Sequence, residues 1–340
     1  MVRTMIFTTF LGFLLASCSS DPLDVDVSAI SVPQVKIIRY DSAFYAVDTS
    51  HLWKDMYALH DKYGAFNDGF VNNVIFQSGN DSLDKDKDLR FFLSDYAYRD
   101  VYRQTQDVFK DGFSVYEDEL TDVFKHFRYY FPNDSLPNGI YTCMSGFNYN
   151  ILYVQGGYYG IGLEYYLGEN NVAYEQLQWP KYKSSTRRKE YLVADLVTGW
   201  MLTQFPYDPE KNDLLNKMVY EGKILYLKKA LMRNEDDSII TGYTGAQLKW
   251  CTDNEAMMYS SLIDKKKIYS EDASDLQHYT EDAPFTPDFP RESPGKAGNW
   301  LGYRIVQSYM TKNPKVTIAE LMATKDAQTI LTKAKYKPKF

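Results

Sequence analysis

The spacing of apolar residues changes along this chain, and each change predicts a different element. In residues 34–44, Val35 and Ile37 alternate with polar neighbours at the period of a short strand. Residues 50–66 carry apolar positions at helical spacing, with Asp48, Thr49 and Ser50 available as caps. Further helices are predicted over residues 89–109 and 116–131. In the second, Leu120, Val123, Phe124 and Phe127 form one face, and Pro132-Asn133-Asp134 stops it. Between Gly139 and Gly168 the period shortens. Residues 140–144, 151–154 and 159–163 are β-type runs separated by Asn and Gly clusters. Helical spacing returns over residues 186–205, 213–231, 252–268 and 294–311. Residues 270–293, rich in proline and acids, predict a long ordered loop. The expected fold class is α+β, mainly helical, with one small antiparallel sheet.

The N-terminus follows another logic. Arg3 makes it positive, residues 5–15 are apolar but too few to span a bilayer, and Leu15-Ala16-Ser17-Cys18 closes the run. That order reads as a bacterial lipoprotein signal peptide over residues 1–17, cut before Cys18, whose thiol then carries lipid. The polar run Ser19-Ser20-Asp21-Pro22 follows at once, so no helix continues through Cys18. Residues 18–33 include Asp21, Asp24 and Asp26 and read as a flexible acidic tether. Residues 34–340 then form a single globular domain. The expected location is the cell envelope. Acyl chains hold the protein to a membrane, at roughly 0.8 kcal/mol per buried methylene, with the body in the periplasm or at the cell surface.

Composition narrows the function classes. The 340 residues are 44% hydrophobic and 24% charged, enough for a sizeable core. Lys and Arg number 38 against 45 Asp and Glu, a net charge of −7 with no basic arm, so no nucleic-acid partner is expected. The densest positive run, Lys181, Lys183, Arg187, Arg188 and Lys189, reads as a solvated loop and helix start. Besides Cys18, Cys143 and Cys251 are either paired or free. His51, His60, His126 and His278 form no metal-ligand pair, so neither metal nor cofactor is expected. The 30 tyrosines read as core and half-buried filling.

Three charged residues stand in or beside apolar helical runs. Asp195 is the single charge in residues 191–205 and shares a stripe with Leu192, Leu196, Gly199 and Leu202, so it needs a partner or a proton. Glu255 follows Thr252 by three positions, the spacing of a capping box. Arg304, in Trp300-Leu301-Gly302-Tyr303-Arg304-Ile305-Val306, also needs a partner. Ser293-Pro294-Gly295 reads as the opening of its helix, and Gly298 and Gly302 on one face allow another helix to approach closely. No GxSxG, P-loop or GxGxxG is present.

Several separated motifs give the chain a family likeness. Phe127-Arg128-Tyr129-Tyr130-Phe131-Pro132, Leu163-Glu164-Tyr165-Tyr166-Leu167-Gly168, Tyr220-Glu221-Gly222-Lys223, Gln247-Leu248-Lys249-Trp250-Cys251, Glu292-Ser293-Pro294-Gly295 and Lys335-Tyr336-Lys337-Pro338 occur in order. In these the chain resembles the gliding-motility lipoprotein GldB family of the Bacteroidetes. The resemblance implies an envelope lipoprotein tied to gliding motility and, more loosely, to type IX secretion; the expected function is a non-catalytic binding or assembly role with envelope protein partners. The alternative is a periplasmic hydrolase that works without the usual zinc ligands. A more distant resemblance is to gluzincin-like zinc peptidases. On that alignment the HExxH positions fall at Ala194, Asp195, Leu196, Val197 and Thr198, so both histidine ligands are absent. The resemblance implies a degenerate peptidase-like scaffold whose relic cleft brings together Asp195, Glu255, Ala194 and Thr198. Arg304 enters it as the charge partner of at least one acid.

Overall fold

A computed structural model describes residues 21–76 and 85–339; the expected signal peptide and Cys18 lie outside the described residues. The chain opens with β1 (Ile37–Ile38) and a short helix over Tyr40–Tyr45, followed by the longer helices α1 (Leu52–Phe70), α2 (Lys85–Ser94), α3 (Tyr96–Val108) and α4 (Ser114–Tyr130). Strands β2 (Gly139–Cys143), β3 (Ile151–Val154) and β4 (Tyr158–Gly162) follow. The second half is helical: α5 (Leu192–Gln204), α6 (Leu214–Leu231), α7 (Gly245–Asp253), α8 (Glu255–Asp264), α9 (Ala273–Thr280), α10 (Ala297–Lys312), α11 (Ile318–Ala323) and α12 (Ala327–Ala334). The class is therefore α+β and mainly helical.

The sheet corrects the antiparallel expectation. Its order is β1-β2-β4-β3, with β1 and β4 parallel to β2 and only β3 antiparallel to β4. Gly156 and Gly157, both in left-handed backbone, turn β3 back on β4. The longer connection from β2 to β3 carries the chain past β4's place, so β4 returns parallel to β2. Spacing along one strand predicts the strand and not its neighbours.

Helix boundaries differ where a side chain competes for the backbone. Residues 89–109 split because Asp95 accepts from the N–H groups of Ala97 and Tyr98 and starts a new helix. Residues 252–268 split at Asn254, whose side-chain amide donates to the Trp250 carbonyl. The Thr252–Glu255 capping box does not form. Thr252 donates instead to the Leu248 carbonyl, and the capping box of this region is Thr244 with Gln247. The long loop after residue 270 contains α9, capped by Asp272. Pro294 does not open α10, because Lys296 takes a left-handed conformation (φ 47°) and delays the helix to Ala297.

The expected tether is also corrected. From Asp21 the chain packs on the body. Leu23 and Val27 are buried, and the Asp21 carboxylate lies 2.7 Å from Arg233 at the end of α6. Two apolar residues among the aspartates supply this anchorage. The core itself runs from Leu23 to Tyr336 and uses tyrosine freely: Tyr40, Tyr166, Tyr174 and Tyr279 are fully buried. Cys143 and Cys251 are both buried free thiols.

At the centre α6 and α10 cross in backbone contact. A Cβ placed on Gly302 would stand 1.7 Å from the Met218 carbonyl oxygen, and one on Gly222 would stand 2.2 Å from the Gly302 carbonyl carbon. The close approach expected for Gly302 is thus made against Met218 and Gly222. This crossing positions both of the cavities described next.

Candidate functional site

The residues expected in one relic cleft fall into two separate cavities, both walled by α6 and α10. Glu255 and Arg304 line a groove of about 650 Å³ between α6, α10, the N-terminal segment and the chain after α12. Asp195 and Thr198 line an inner cavity of about 220 Å³ under α5. Ala194 is wholly buried, and the Thr198 hydroxyl donates back to its carbonyl. The expectation that Asp195 and Glu255 share a cleft is corrected. The break at Asn254 turns Glu255 toward α10, while Asp195 faces β3 and α6. Leu202, assigned to the stripe of Asp195, is exposed.

In the groove the Arg304 Nε–H donates to both Glu255 carboxylate oxygens, at 3.1 and 3.2 Å, so the expected charge partnership holds for Glu255 alone. The Tyr336 hydroxyl donates to Glu255, and the Gln307 side chain accepts from Arg304 at 2.8 Å. Burial, and next the bond to Glu255, push the Tyr336 phenol above its ordinary range. The Arg304 guanidinium sits over the Trp300 ring at 5.5 Å. The other groove acids are also answered by cations: Asp21 by Arg233 and Asp237 by Lys229, each at 2.7 Å.

The inner cavity has a different balance. Asp195 accepts from the Tyr166 hydroxyl at 3.1 Å and lies 3.6 Å from an Arg187 Nη. Burial, then the Asp195 charge, push the Tyr166 phenol well up. Arg187 lies over the rings of Tyr165 and Trp179, which fix its plane. Lys296 pairs with Asp282 at 2.7 Å. Its carbonyl and that of Gly295 accept from the Tyr243 hydroxyl, pinning the left-handed turn at the cavity edge. Lys228 enters from α6 and is only 6% exposed. Burial pulls its amine down to about 8; Asp195 opposes that shift and Lys296 adds to it.

Lys228, Arg187 and Asn299 were missed as a site by the sequence reading. Lys228 carried a signal. It follows Ile224 by four positions and precedes Leu231 by three, so it lies on the apolar stripe of α6 rather than on a solvent face.

Among the described residues no three His, Cys, Asp or Glu side chains gather as metal ligands would, and no helix is long and apolar enough to cross a membrane. No curated protein and no solved structure matches the chain. A family model described as gliding motility protein GldB matches residues 20–338.

Proposed function

The chain belongs to the GldB family of gliding motility proteins, and we propose that it is an envelope lipoprotein, held to a membrane by acyl chains on Cys18. It serves gliding or secretion machinery by binding rather than by catalysis. The supporting observation is the docked N-terminus. Asp21, locked to Arg233, is three residues from Cys18, and that length of chain spans at most about 11 Å. An acyl chain on Cys18 therefore holds the groove side of the body close against the bilayer. The pairing of the groove acids with Arg304, Arg233 and Lys229 supports a binding role. Among the described residues of the groove each carboxylate is paired with a cation.

The test is Cys18→Ser in cells fed radiolabelled fatty acid. The variant is expected to lose the label, leave the membrane fraction and impair colony spreading. Continued labelling overturns the anchor, and unimpaired spreading by an unlabelled variant overturns its role in motility.

A further inference from the structure

Three residues that line the inner cavity each carry a polar group that the described residues leave without a partner. Among the described residues nothing hydrogen-bonds to or ion-pairs with the Lys228 ammonium. The Arg187 Nε–H is buried and unpaired. The Asn299 side chain donates through Nδ2 to the Thr280 carbonyl at 3.1 Å, which fixes the amide and leaves its buried Oδ1 with no donor. Buried polar atoms are ordinarily satisfied, so donors and an acceptor left open in one cavity describe the complement of a ligand.

The charges say what kind. Asp195 is answered by Arg187, Asp282 by Lys296, and Glu221 by Lys217 one helical turn away. Lys228 is the cation left over, and a lone buried charge is costly unless something neutralises it. One surplus positive charge matches a monoanion. A phosphate dianion would leave the cavity net negative. A volume of about 220 Å³ suits a small molecule. Access is through an adjoining recess of about 510 Å³ that shares Arg187, Asp282, Lys296 and Asn299 with the cavity.

We propose that this cavity binds a small hydroxy acid, its carboxylate held by the Lys228 ammonium and the Arg187 Nε–H and its hydroxyl donating to Asn299 Oδ1. The site goes beyond the anchoring role and stands whether or not Cys18 carries lipid.

The test heats the purified full chain with glycolate, L-lactate or 3-hydroxypropionate at about 10 mM, saturating for a sub-millimolar site. Acetate, methyl lactate and inorganic phosphate are the comparison arms. At least one of the three acids is expected to raise Tm by about 2–5 °C. Acetate, which lacks the donor, shifts it less, and methyl lactate, which lacks the charge, leaves it unmoved. Lys228→Met removes the shift without lowering the unliganded Tm, and Asn299→Leu weakens binding about tenfold. A crystal of the wild-type chain with the best acid needs no variant; it places a carboxylate oxygen about 3 Å from Lys228 Nζ. Four results overturn the proposal: no shift from any of the acids, a shift that survives Lys228→Met, a larger shift with phosphate, or an acid seated elsewhere in the crystal.

Discussion

In the groove, Glu255 faces Arg304 from α10 and the hydroxyl of Tyr336, and the neighbouring acids each have a cation. In the inner cavity, Asp195 faces Arg187 and the hydroxyl of Tyr166, but a second cation, Lys228, stands beside them without a hydrogen bond or ion pair among the described residues. The ingredients are the same: a carboxylate, a guanidinium and a phenol on the two sides of one helix crossing. The difference is one buried charge, since the groove's further cations, Lys312, Lys337 and Lys339, are exposed to water. A buried charge with a partner stabilises the fold, whereas a buried charge without one costs stability until a ligand fills it. Stability measurements on the two sides therefore move in opposite directions.

The largest effect removes the wall between the two regions. Gly302→Ala forces a methyl into the Met218 carbonyl and parts α6 from α10. It is expected to cost about 3–5 kcal/mol in denaturant unfolding. Wild-type-like stability would show that the crossing does not hold the two sides together. Next is Lys228→Met, which is expected to stabilise the protein by about 2 kcal/mol, because it deletes a buried cation that lacks a partner. A loss of similar size would place Lys228 among the structural charges and erase the contrast with the groove.

On the groove side, Arg304→Met is expected to cost about 1–2 kcal/mol. The figure is below the 3–5 typical of a fully buried pair because the Arg304 side chain is 41% exposed. A second change, Asp195→Asn, adds to this loss rather than relieving it, since the two residues border different cavities. Asp195→Asn is relieved instead by Lys228→Met, whose charge it faces. A double-mutant cycle with the opposite pattern of coupling would reunite the two sites.

The smallest effect is a slope. Lys228 titrates at about 8 when folded and near its ordinary 10.5 when unfolded. Between those values the unfolded chain binds more protons, so stability rises with pH, by up to about 1.4 kcal/mol per pH unit. Lys223, also pulled down to about 8 by burial, contributes in the same direction. Above pH 10 the buried tyrosines oppose the rise. Tyr165, for example, is pushed up to about 12 by burial, so the folded state holds its proton longer than the unfolded chain. The window to measure is pH 8 to 9.5, where Lys228→Met is expected to flatten the slope by half. An unchanged slope would remove Lys228 from the account.

Much of this architecture was legible. The face of α4 and the presence of α6 and α10 follow from apolar spacing, and Gly298 with Gly302 signalled a close crossing. Arg304 needed a partner and has one in Glu255. What was not legible depends on which segments meet. Strand order rests on the path of the chain between β2 and β3, which leaves no periodicity. Asp195 and Glu255 each read as an acid in an apolar helix, but sequence spacing does not show that Asn254 turns Glu255 toward a different neighbour. The tether was misread because acidic content outweighed Leu23 and Val27, the residues that dock it.

The α6–α10 crossing also acts as a key. Gly298 and Gly302 are four residues apart, so a slide of about 6 Å would set one glycine in the other's place. Their mates differ. A Cβ on Gly298 would stand 2.6 Å from the carbonyl oxygen of Tyr279, at the end of α9, while Gly302 is matched to Met218. Sliding would set Val306 or Gly298 against α6 and uncouple α9. The two glycines accordingly lock α10 into a single register. That register places Asn299 toward the cavity and Arg304 toward the groove, so the outlook of each face is decided by where two missing side chains fall.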